Sequence, residues 1–154
     1  MEPNPMVSET LLRTLNAALI DAGNRRNALQ FGVNELRSVL ANAKASLQRA
    51  EVQESNAVGA NDRKKAEHRE LLDYYNGLAD KTGLSSILNR IEVLANEQLE
   101  THRHLQTSRD IRMNYQGQWD QAQTNLAVAE KALEEAVKEW QRMSAEVEKA
   151  RNER

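Results

Sequence analysis

The sequence predicts an all-α chain, folded back on itself as one long antiparallel two-helix coiled-coil hairpin. Three observations carry that expectation. Proline occurs only at Pro3 and Pro5 and glycine only six times in 154 residues, far too sparsely for the turns of a β-rich or doubly wound fold. Apolar residues recur at alternating spacings of three and four in two separate runs. A segment midway, rich in Gly, Asn and Asp, supplies the turn between those runs.

The first element is a short leader. Residues 1–7 carry both prolines and read as disordered, and Ser8 is a reasonable N-cap for the helix that follows. The leader has an acid where a secretory signal would need a basic region and an apolar run.

The first helix is expected over 8–76. Leu12, Leu15, Leu19, Ala22, Leu29, Val33, Leu36, Leu40, Ala43, Leu47 and Ala50 hold one heptad frame, with Leu12 at an a position and Leu15 at d. Arg26 is the one in-frame interruption. Between residues 54 and 68 the frame turns polar, through Glu54, Asn61, Lys64 and His68. Loose coiled-coil packing is expected there. The alternatives are a break near 56–61, giving three helices over 8–55, 62–78 and 84–152, and a hinge or polar docking zone, since the polar residues Gln98, Thr101, Ser108 and Arg112 face this segment in the register below.

A turn is expected over 77–84, with Ser85 and Ser86 as N-cap candidates for the second helix at 85–152. That helix keeps a stricter frame through Trp119, Ala122, Leu126, Ala129, Leu133, Ala136, Trp140, Met143, Val147 and Ala150. Large residues fill a and alanine fills most d positions. Its outer face carries helical-spaced charge pairs such as Glu134 with Lys138.

The register follows from volume. A turn centred on residue 81 pairs residues whose numbers add to 162, which sets Ala22 against Trp140 and Ala43 against Trp119. Both tryptophans then meet an alanine, whereas a slip of one heptad sets Trp140 against a leucine, a worse fit for a close-packed seam. Arg26 meets only Ala136, past which its stem can reach water. Arms of about 65–70 residues at ~1.5 Å each would make a rod on the order of 100 Å long.

Near the turn the chain is more apolar than one seam requires. Leu72, Tyr74, Tyr75, Leu84, Ile87, Leu88 and Ile91 are the candidate partner-binding residues, with Tyr74 and Tyr75 first, because tyrosine is favoured at interface hot spots. The bland reading is a small cap that closes the hairpin. Ile20, Phe31 and Val52 lie off the seam, singly.

Little else points to chemistry. A net charge of −2 gives no field to favour nucleic acid or an anionic membrane, and no stretch is apolar enough to span one. There is no cysteine, which fits a cytoplasmic setting. His102 and His104 lie on different sides of a helix, His68 stands alone, and no metal or cofactor site is expected. Gly59, Gly77 and Gly83 make no phosphate loop. Two helices offer no concave pocket in which to shift a carboxylate pKa, so no catalytic residue and no enzymatic activity are expected.

The expected function is that of a structural or interaction protein, presenting an apolar tip and free helical ends to protein partners. A homodimer could form through packing of two hairpins. In length and hairpin architecture, carried by the arms Leu12–Ala50 and Trp119–Ala150, the chain resembles the stalk proteins of flagellar and type III secretion export ATPases. That resemblance implies a role in protein transport, with an ATPase hexamer as partner and the helical termini in its pore. It rests on architecture rather than a motif, and the first 12 residues lack the basic character such contacts would use. A phage or virion rod and a holdase-type chaperone are the other readings of the same shape.

Overall fold

The computed structural model describes residues 5–153, with side chains from Ser8 onward. Two helices, α1 (Pro5–Gly77) and α2 (Ser85–Asn152), pack against each other as a hairpin, and no strand occurs among the described residues. Residues 1–4 of the expected leader lie outside the described residues. Residues 5–7 are helical, so Ser8 sits inside α1 rather than at its cap. A first-turn proline suits this start, because its missing N–H would have no intrahelical partner there.

α1 is continuous through 56–61, which removes the three-helix alternative. The frame explains why. Every in-frame position from Ser8 through Glu54, Ala57, Asn61, Lys64 and His68 to Leu78 is at least partly shielded from solvent. The same holds in α2 from Leu84 to Ala150. The polar zone is not loosely packed either, for Ala57, Asn61, Leu94, Leu105 and Ser108 are all buried. Periodicity, rather than apolar content, decides which face is covered.

The chain divides into two compact units. One joins the start of α1, through Asn42, to the end of α2, from Asp120; the other comprises Ala43–Trp119. In the first unit Val33 is wholly buried, at 0% exposure. The Trp140 indole lies against the α1 backbone, where a Cβ added at Gly23 would sit 3.5 Å from the ring. Arg26 does more than reach water. Its guanidinium stacks over Trp140, 4.2 Å from the ring centroid, so the in-frame cation covers an aromatic face. Arg37 and Glu130 approach to 3.6 Å across the helices. These cross-helix neighbours have numbers adding to 163, 166 and 167, which is the spread expected around seam partners adding to 162.

The turn lies wholly in the second unit. The Leu78 N–H donates to the Tyr75 carbonyl at 3.2 Å and closes α1. The Thr82 N–H then donates to Asp80 Oδ1 at 2.9 Å, an Asx turn, and Gly83 takes φ +75°, a left-handed conformation that suits glycine. The Leu84 carbonyl accepts from Ile87 and Leu88, each at 3.1 Å. Leu84 is therefore the capping position, and Ser85 and Ser86 fall in the first turn of α2 instead.

Candidate functional site

Four of the seven candidate tip residues belong to the seam. Tyr75, Leu84, Ile87 and Ile91 are in frame and half-buried, so they close the hairpin. Lys81 adds to that closure, its amine 5.4 Å from the Tyr75 ring centroid. Leu72 is half-buried just outside the seam. Only Tyr74, 59% exposed, and Leu88, 47% exposed, are freely presented. The frame separates the adjacent tyrosines: Tyr75 occupies an a position and Tyr74 the neighbouring g.

The second unit has two edges, and their character differs. Positions e and b flank one side of the seam, and g and c the other. Glu51 and Gln116 are e positions whose numbers add to 167, and with Glu54, Ser55, Val58 and Arg112 they line one groove. On this side Arg112 Nε donates to Glu54 Oε2 at 2.7 Å, while Arg109 stands 4.0 Å from the other carboxylate oxygen. The same sum sets Lys65 across from His102, and Arg69 and Leu99 occupy neighbouring b positions.

The g/c edge holds an ion network. Lys64 Nζ donates to Glu97 Oε2 at 2.8 Å and reaches Glu67 at 3.4 Å, and Arg90 stands 3.9 Å from Glu97. The hydrogen bond to Glu97 raises the Lys64 pKa above its ordinary value, and the same bond holds the Glu97 carboxyl below its own. In the turn, hydrogen bonds from Thr82, side chain first, hold the Asp80 carboxyl below the usual range. These groups remain in contact with solvent, which screens the interactions, and none weighs heavily in stability.

At the centre of the seam, the Thr101 hydroxyl lies 3.2 Å from Asn61 Oδ1 and 2.9 Å from the Gln98 carbonyl. Among the described residues, no group of three or more His, Cys, Asp or Glu side chains could hold a metal ion. No helix among the described residues is long and apolar enough to cross a membrane. The register predicted that the polar zones of the two helices face each other, and the sum of 162 sets Asn61 opposite Thr101, the pair that the hydrogen bond joins.

No protein-family model matches the chain, and neither a curated protein nor a solved structure is detectably similar to it.

Proposed function

We propose that this hairpin is a non-enzymatic interaction protein of the cytoplasm, and that its turn end meets a protein partner. The observation that carries the reading is the exposure of Tyr74 and Leu88 beside a turn that Tyr75, Leu84, Ile87 and Ile91 close. A large aromatic left in water beside a rigid turn is a suitable anchor for a partner's pocket. The grooves along the seam are shallow and lined by charged and small side chains, among them the Glu54–Arg112 ion pair, which supports a binding role over catalysis.

Photo-crosslinking in the source cells tests it. A benzophenone side chain at position 74 is expected to capture a discrete protein adduct. The same group at position 128, where Val128 is also exposed but stands in the other unit, is expected to capture none. Absence of an adduct at 74, or equal labelling at both positions, overturns the reading.

A further inference from the structure

We propose that the outer face of α1 in the first unit is a self-association surface, on which a second copy of this chain packs its own α1, parallel and in register. The inference is independent of the turn end.

The face is a further heptad stripe. With Leu12 at a, the b and f positions of α1 from residue 17 to residue 41 fall at alternating spacings of three and four, on the side of the helix away from α2. All eight are exposed. They hold two alanines, Ile20, Phe31, three asparagines and Ser38, and no charged residue, in a chain whose charged content is 29%. Arg13 bounds the stripe on its N-terminal side. Ile20 and Phe31, 62% and 64% exposed, thus belong to one stripe rather than standing singly. The corresponding stripe of α2, from 120 to 152, is a solvated one: Asp120, Lys131, Glu134, Lys138 and Glu148 fill half of its ten positions. Covering it would strip water from those charges, whereas the α1 stripe has none to desolvate.

A second copy fits the stripe by composition. In an in-register pair each residue meets its own kind across a two-fold axis, and a side chain that pairs with itself must be apolar or must both donate and accept. Ile20 and Phe31 meet the first condition. Asn24, Asn27, Asn34 and Ser38 meet the second, and asparagine in such a seam selects register at some cost in stability. The Asn27 and Asn34 side-chain oxygens accept from Arg26 and Gln30 of their own helix, at 3.2 and 3.0 Å, which leaves their amide N–H groups to donate to the second copy.

The flanking charges choose the direction. In a parallel in-register pair, residues on the e side of the stripe face residues on the c side of the other copy. Asp21 then lies beside Asn16, Glu35 beside Gln30 and Arg37 beside Asn42 of the second copy, so no like charges meet along the stripe. The antiparallel alignment that joins Ile20 to Phe31 instead brings Asp21 against Glu35 twice.

Sedimentation of the full chain across the micromolar range tests it, and a dimer that dissociates on dilution is expected. Phe31→Glu is expected to weaken that dimer at least about tenfold, because each copy then sets a carboxylate against its own counterpart, and Phe31→Lys likewise. An equimolar mixture of these two variants is expected to regain the association, since position 31 of one copy meets position 31 of the other. Val128→Glu, on α2, is expected to leave the dimer unchanged. Circular dichroism checks that each variant stays helical.

A chain that stays monomeric, a dimer indifferent to Phe31→Glu, or a Phe31→Glu variant rescued by Ile20→Lys and not by Phe31→Lys overturns the proposal. A benzophenone at position 31 is expected to capture a second copy in the source cells, and capture of a different protein there overturns it as well. The adduct at position 74 is read separately, so each reading can fail without the other.

Discussion

The Thr101 hydroxyl on α2 and the Asn61 side-chain oxygen on α1 face each other at 3.2 Å inside the seam, and Asn61 is only 6% exposed. This pair fixes alignment more than it adds stability. A slip of one heptad would set Asn61 against Leu94 or Ser108 and Lys64 against Ile91 or Leu105. Either slip would leave a buried polar group or a charge against an apolar neighbour, a costly arrangement.

Replacing the pair by leucines, Asn61→Leu with Thr101→Leu, is therefore expected to leave the melting temperature unchanged or raised, because removing both partners together strands no polar side chain. The same variant is expected to lose uniqueness of pairing. Calorimetry reads the first effect, and size-exclusion chromatography with crosslink mapping reads the second. A lower melting temperature would show that the polar pair is a net stabiliser.

Two glycines should respond to alanine with opposite sign. A Cβ at Gly23 would make ordinary contact with the Trp140 ring, so Gly23→Ala is expected to gain about 0.5–1 kcal/mol from helix propensity. Gly83 sits at φ +75°, so Gly83→Ala is expected to lose about 1 kcal/mol. Chemical denaturation of the two variants side by side checks both signs.

Burial sets a second contrast. Val33→Ala, at a fully buried site, is expected to cost ~2 kcal/mol through lost transfer energy and a residual cavity. Val128→Ala, at a residue 67% exposed, is expected to change stability by less than about 0.5 kcal/mol.

Pairing within one chain can be read by crosslinking. Cysteines at Arg37 and Glu130, which form an ion pair, are expected to join through a short bismaleimide within a single chain at any dilution. Adducts that form only between chains, and vanish on dilution, would show exchanged helices.

Acid should loosen the second unit. Glu97 and Asp80 hold carboxyl pKa values below their ordinary ones, so each binds its proton less readily folded than unfolded. Their contribution is present above the ordinary carboxylate range and is lost as pH falls through it and below. Lys64 has the opposite sense: its raised pKa contributes below its ordinary value and is lost as pH rises past it. The protection factors of amides in the second unit, exchange rates corrected for their intrinsic pH dependence, should be largest between these limits. Glu97→Gln is expected to flatten the acid limb.

The fold was largely legible because a coiled coil writes its packing into spacing. The frame from Leu12 and the frame ending at Ala150 predicted the covered face, and the Trp140–Ala22 size match predicted the alignment. Composition misled where spacing did not. Residues 54–68 looked weak because few are apolar, yet Asn61 and Lys64 find cross-helix partners at in-frame positions. The candidate site was half legible: counting heptads separates Tyr74 from Tyr75, but that both flank the turn does not. The engagement of Arg26 with Trp140 was not legible, since an arginine stem can equally reach water.

The turn at 78–84 also sets the order in which the helices can meet. Leu71 and Ile91, seam partners beside it, are separated by 20 residues of chain, whereas Leu12 and Ala150 are separated by 138. The entropy of closing a loop rises with its length, so the first productive encounters are those next to Asp80 and Gly83. Each layer then shortens the loop that the next must close. Folding on this logic is a zipper with one starting end, and a variant that disturbs Gly83 slows its start, whereas one near Leu12 acts on its last teeth and mainly hastens unfolding.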